Sequence, residues 1–83
     1  MRGFYVDVRE QSEWDAGHLE GAYHLPLSRL LEGYIPDDLP TDRPLLLYCR
    51  SGQRSQVAKS LLQSKYPLCE SLDEGYDELQ GKK

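Results

Sequence analysis

Apolar positions along the chain fall into two patterns, continuous short runs and positions spaced by three or four, and their alternation predicts the architecture. The segment GFYVDVRE opens with aromatic and β-branched residues and predicts a buried strand ending near Asp7. SEWDAGH follows as a short helical turn, with Ser12 in place for an N-cap and Gly17 for a stop. GAYHLP predicts a brief strand closed by Pro26, whose missing donor suits a strand end. LSRLLEGYI puts Leu27, Leu30 and Leu31 on one helical face, with Ser28 near its start. PDDLPTDRP is a loop rich in proline and aspartate, with room for one short helical turn.

The second half repeats the alternation. LLLYC is apolar at every position, the pattern of a strand covered on both faces in a parallel sheet. SQVAKSLLQSKY then brings Val57, Ala58, Leu61 and Leu62 to helical spacing. PLCESL predicts a short strand, and DEGYDELQGKK a turn, a last short helix and a charged tail. Strands alternating with helices imply an α/β fold with a mainly parallel sheet flanked by helices. At 83 residues, 1–83 form a single domain with no room for a second core.

Composition narrows the function. A 39% apolar and 29% charged content is that of a soluble globular chain, and no apolar run approaches membrane-spanning length. The net charge of -4 gives no support to nucleic-acid or membrane-surface binding, so neither partner is expected. Two cysteines, Cys49 and Cys69, are too few for a disulfide scaffold of this size. No secretory apolar core precedes the first strand, which predicts a cytoplasmic chain, or a periplasmic one from which a signal peptide has been cut.

Against this acidic background the stretch CRSGQRS stands out, because it places a thiol where the apolar strand gives way to a small basic loop. In sheets of this kind reactive groups gather at the carboxyl edge, where strands end and helices begin. Successive main-chain N–H groups from Arg50 to Ser55 can curl toward one point. The positive end of the following helix favours a nearby anion by about 0.3–1 kcal/mol. Gly52 permits backbone angles that a side chain resists, and Arg50 and Arg54 add positive charge. A free cysteine titrates at ~8.5, and electropositive, half-exposed settings lower that value. The chemistry expected is nucleophilic attack by Cys49, with the developing negative charge held by main-chain donors.

Three segments together resemble a known family. CRSGQRS resembles the active-site loop of single-domain rhodaneses, C-x-x-G-x-R-[ST]; YVDVRE is similar to their IDVRE strand, and WDAGHLEGAYHLPL to their Y-x-x-G-H-I-x-G-A-x-N-I-P-L segment. The resemblance implies a small rhodanese-like fold, N-terminally shortened, because the family's usual strand and helix ahead of DVR find no counterpart here. It implies a Cys49 persulfide and transfer of sulfane sulfur from thiosulfate, or a similar small anionic donor, to a thiol or cyanide, or to a protein acceptor. Carried over residue by residue, Cys49 is the nucleophile and Arg50, Ser51, Gly52, Gln53, Arg54 and Ser55 form the substrate-binding cradle. Asp7 and Arg9 fall on the DVR positions that brace the loop's surroundings, and His18 on a structural one. The family's ending N-L-x-G-G-I-x-x-W reads here as SLDEGYDEL, with Glu74 for the first glycine, Tyr76 for the isoleucine and Leu79 for the tryptophan. Those changes alter the far wall of the pocket and hence acceptor choice.

Blander readings account for the remaining candidates. Cys69, within PLCESL, reads as core rather than as a redox partner of Cys49. His18 and His24 lack zinc-site spacing, so no metal and no cofactor is expected. Trp14 reads as a packing anchor. Three rival functions remain. A phosphatase or arsenate reductase of similar architecture carries five residues between cysteine and arginine, against four here, Arg50 to Gln53. A non-catalytic interaction module often loses the cysteine that this chain keeps. A persulfide carrier would use the same loop but turn thiosulfate over poorly.

Overall fold

The computed structural model describes residues 3–50 and 53–79. Among the described residues, four strands and four helices alternate: β1 (Phe4–Asp7), α1 (Gln11–Ala16), β2 (Tyr23–His24), α2 (Leu27–Leu31), β3 (Leu45–Tyr48), α3 (Gln53–Leu62), β4 (Glu70–Ser71) and α4 (Tyr76–Leu79). The strands form one sheet in the order β2-β1-β3-β4, and every pairing is parallel. This is the α/β architecture, a parallel sheet with helices between its strands, that the sequence predicts. Among the described residues, no helix is long and apolar enough to cross a membrane.

The two central strands carry the most apolar runs, as burial on both faces requires. Val6 and Leu47 have no exposed surface and sit opposite each other in register, with Phe4 paired to Leu45 at the near end and Asp7 to Tyr48 at the far end. From the helical layers, Leu30, Ala58 and Leu62 close over the sheet, and Leu25 and Tyr66 complete the same cluster. The Tyr66 hydroxyl donates to the Pro36 carbonyl at 2.6 Å and accepts the Leu39 N–H at 3.3 Å, so its one polar atom is satisfied inside the core.

Three local expectations are corrected. Helix α1 begins two residues earlier than a Ser12 cap requires: Glu10 is the N-cap, and Glu13 reaches back to accept its N–H at 3.0 Å. A carboxylate at the third helical position can satisfy that orphan donor, and Ser12 is left inside the helix. Gly17 does end α1, at φ 149°, with its N–H bonded to the Trp14 carbonyl. On α3, Val57 is 44% exposed, while Ser55, Ala58 and Leu62 form the buried face. Helical periodicity allows either face, and the serine takes the inner one because its hydroxyl finds a partner there. The segment PLCESL is extended only at Glu70–Ser71.

Candidate active site

The site grows out of the carboxyl edge of the sheet. Parallel register brings Asp7 and Tyr48 to one level at the ends of β1 and β3, with His24 across from Asp7 on the other side. Asp7 is fully buried, and burying a carboxylate requires charge-paired donors. Arg9 supplies a fork: Nε lies 3.0 Å from Oδ1 and Nη2 2.9 Å from Oδ2, and the Arg9 main-chain N–H adds 2.9 Å to Oδ1. Tyr48 Oη donates to Asp7 Oδ2 at 2.9 Å and accepts the Leu19 N–H at 3.2 Å. Burial, with the Asp7 charge beside it, pushes the Tyr48 phenol well above its ordinary range, so the hydroxyl stays a donor. Arg9 also donates to the Gly17 carbonyl at 2.6 Å and lies over the Tyr76 ring, its Cζ 4.1 Å from the ring centre. Asp7 and Arg9 thus tie β1, the turn after α1 and α4 into one rigid floor.

Cys49 directly follows β3. Its side chain has no exposed surface, and its Sγ lies 3.9 Å from Ser55 Oγ. Ser55 Oγ in turn lies 2.8 Å from Ser71 Oγ on β4. A buried sulfur facing this pair of hydroxyls is in a polar setting, which can support an anion where hydrocarbon would not. The main chain at Cys49 is pinned from the far side: its carbonyl accepts the Tyr76 N–H at 2.9 Å. Gly75 presses on the next peptide so closely that a Cβ there would run into the Arg50 carbonyl oxygen. This is the position where the family's second glycine falls, and steric contact accounts for it.

Arg54, in the first turn of α3, holds Glu13 of α1 in a bidentate ion pair, with Nη1 2.7 Å from Oε1 and Nη2 2.9 Å from Oε2. The Arg54 hydrogen bonds draw the Glu13 carboxyl down from 4.5 to about 2. The same bonds raise the Arg54 guanidinium. Outside these groups a cleft of about 230 Å³ opens, lined by Arg9, Glu13, Ala16, Arg50, Tyr76 and Asp77.

The predicted site residues therefore have distinct places. Cys49 and Ser55 are buried and adjacent, Arg50 is exposed on the cleft wall, Gln53 is exposed at the start of α3, and Arg54 is turned toward Glu13. Ser51 and Gly52 lie outside the described residues. Gln53, Arg54 and Ser55 belong to the first turn of α3 rather than to a loop. Cys69 is core, its thiol raised by burial and its Sγ 3.8 Å from the Lys59 carbonyl. Trp14 stacks with His18 at 3.4 Å and with His24 at 4.5 Å between ring centres, the packing role expected of it. Sequence reasoning did not find Glu13, Tyr48 or Ser71. Glu13 leaves a faint signal as a first-turn acid, but nothing in one dimension joins it to Arg54.

Comparison with known proteins places the chain. Residues 2–82 match the family model of the Rhodanese-like domain, and the chain belongs to that family. Among curated relatives it is 35% identical over 78 residues to the uncharacterized protein YqhL of Bacillus subtilis, covering 93% of this chain and 60% of YqhL. It is 43% identical over 53 residues to the probable adenylyltransferase/sulfurtransferase MoeZ of Mycobacterium tuberculosis, covering 64% of this chain and 14% of MoeZ. The chain thus spans less than two thirds of either relative. Among solved structures, the human single-domain sulfurtransferase TSTD1 superposes with a TM-score of 0.79 at 25% identity, over 99% of this chain and 84% of that one. The rhodanese homologue TT1651 of Thermus thermophilus gives 0.66 at 36% identity, over 88% and 78%. The family therefore includes sulfurtransferases among the chain's relatives.

Proposed function

We propose that the domain is a sulfurtransferase that carries sulfane sulfur as a persulfide on Cys49. The observation that carries this reading is the position of the thiol: at the carboxyl end of a central parallel strand, ahead of the first turn of α3, with its sulfur against the Ser55 hydroxyl. In the first half-reaction the Cys49 thiolate attacks the outer sulfur of a donor such as thiosulfate. A bond forms between Sγ and that sulfur, the donor's sulfur–sulfur bond breaks, and its electron pair leaves with sulfite. In the second, a thiolate or cyanide takes the outer sulfur and returns an electron pair to Sγ. Two half-reactions through one covalent intermediate give ping-pong kinetics.

The ion pair with Glu13 supports a division of labour within the cradle. Arg54 is neutralised by Glu13, so attraction of an anionic donor falls to Arg50 and to the main-chain amides at the start of α3. Donor use then weakens with added salt, as for any exposed charge. A carrier loaded by another protein is a second reading, favoured by the burial of Cys49, which would keep a stored persulfide out of bulk solvent.

Intact-mass analysis after incubation with thiosulfate tests the proposal, with Cys49→Ser and Cys69→Ser alongside. One added sulfur on the native and Cys69→Ser proteins, absent from Cys49→Ser, is the expected result. No added sulfur from thiosulfate, but loading by a protein persulfide donor, selects the carrier reading. No sulfur on Cys49 from either source refutes both.

A further inference from the structure

The cleft beside Cys49 carries more charge than its net charge suggests. Six charged side chains line it or pair with residues that do: Arg9, Arg50, Arg54, Asp7, Glu13 and Asp77. Four of them cancel internally. Arg9 is forked on Asp7 with both side chains buried, and Arg54 is forked on Glu13. What remains at the mouth is one cation, Arg50, and one anion, Asp77, both exposed and both lining the cleft. Among the described residues neither has an ion-pair partner. The Tyr76 ring lines the same cleft, with Arg9 over it and its main-chain N–H bound to the Cys49 carbonyl.

We infer, resting on the sulfurtransferase reading, that the acceptor seated in this cleft is a small zwitterionic thiol: an amino-acid thiol of the cysteine type, its carboxylate on Arg50, its ammonium on Asp77 and its methylene against Tyr76. Charge complementarity selects this class. A dianionic donor such as thiosulfate can use the Arg50 guanidinium but leaves Asp77 unmatched, and a simple amine does the reverse, whereas a zwitterion satisfies both. Size agrees. Drug-sized ligands occupy pockets of about 300–1,000 Å³, and this cleft of about 230 Å³ suits a single amino acid. Gly75 and Tyr76 contact the Cys49–Arg50 backbone, so the cleft wall adjoins the main chain that carries the nucleophile. In the transfer step the acceptor thiol gives its proton to water. Its thiolate then attacks the terminal sulfur of the Cys49 persulfide, the new sulfur–sulfur bond forms on the acceptor, and the breaking bond returns its pair to Sγ.

Binding is measured first with unreactive thioethers on the native domain, which separates the inference from the chemistry. Amide shifts of Arg50, Tyr76 and Asp77 are followed during titration with S-methyl-L-cysteine, with 3-(methylthio)propionate, which lacks the ammonium, and with 2-(methylthio)ethylamine, which lacks the carboxylate. An exposed ion pair changes affinity by a few-fold, so the zwitterion is expected to bind about fivefold more tightly than either analogue. Asp77→Asn should erase its advantage over the propionate, and Arg50→Gln its advantage over the amine. Equal binding of the three ligands, no binding of the zwitterion, or an advantage that survives both substitutions overturns the inference. A second arm follows loss of sulfur from the Cys49 persulfide by intact mass, where L-cysteine should discharge it faster than 3-mercaptopropionate or cysteamine. Should Cys49 never take up sulfur, the sulfurtransferase reading falls while the thioether titration still decides what the cleft binds.

Discussion

Replacing Glu13 with glutamine removes one charge from the α1–α3 clamp and leaves its shape almost unchanged, so the clamp's electrostatic share becomes measurable. In the folded protein the two Arg54 bonds, at 2.7 and 2.9 Å, pull the Glu13 carboxyl from 4.5 to about 2. At ~1.4 kcal/mol for each tenfold change in protonation equilibrium, that corresponds to roughly 3 kcal/mol favouring the anion. The pair is part-exposed, with side-chain exposures of 31% and 27%, and water screens it. The net contribution is therefore placed at about 1 kcal/mol. A depressed carboxyl stabilises the fold fully above its unfolded value and loses that contribution as pH falls through the folded one. Glu13→Gln should accordingly be about 1 kcal/mol less stable than the native domain at pH 7, about 4–8 °C in melting temperature for a domain of this size. The difference should shrink from pH 4.5 toward pH 2. Urea titrations of both proteins at several pH values provide the measurement. A gap that stays constant across that window would show that the substitution acts through packing, and the electrostatic account of the clamp would be wrong.

Other substitutions probe the floor of the site and the surroundings of the thiol. Tyr48→Phe deprives Asp7 of a donor and the Leu19 N–H of its acceptor, and should cost about 1.5–3 kcal/mol in chemical denaturation; a loss below about 0.5 kcal/mol would mean that water replaces the hydroxyl. Gly75→Ala pushes a methyl into the Arg50 carbonyl and should destabilise by about 1–3 kcal/mol, with Arg50 amide shifts moving in the NMR spectrum. Unchanged shifts and stability would disprove the contact. Ser71→Ala removes the hydroxyl that orients Ser55 toward the Cys49 sulfur, and should slow alkylation of Cys49 at pH 7 by about 2–10-fold, the loss of one modest hydrogen bond. An unaltered rate, with folding intact, would show that the serine pair does not support the thiolate.

Much of this fold is written in short-range pattern. LLLYC and FYVD are apolar enough to be interior strands wherever they sit, and the alternation with helices leaves few arrangements besides a parallel sheet. The motif CRSGQRS likewise marks Cys49, because a thiol at a strand end followed by a basic, glycine-bearing turn has few bland explanations. What stayed hidden depends on tertiary partners. Ser55 is buried in place of Val57 because a hydroxyl on β4, sixteen residues away in sequence, satisfies it. Glu13 meets Arg54 across 41 residues, a pairing that neither local segment announces. The N-cap moved from Ser12 to Glu10 because Glu13 closed the turn from within. Tyr76 was visible as a departure from the family's ending, but its role beneath Arg9 and beside Cys49 required the three-dimensional arrangement.

The lateral strands of the sheet, β2 and β4, hold only two residues each, while the pair between them is twice as long. Each flank thus exposes a ladder too brief to template a neighbouring polypeptide, a feature that natural sheets use against edge-to-edge aggregation. Sheet extension by another polypeptide is therefore disfavoured, because the outer rims give a foreign strand little to grip.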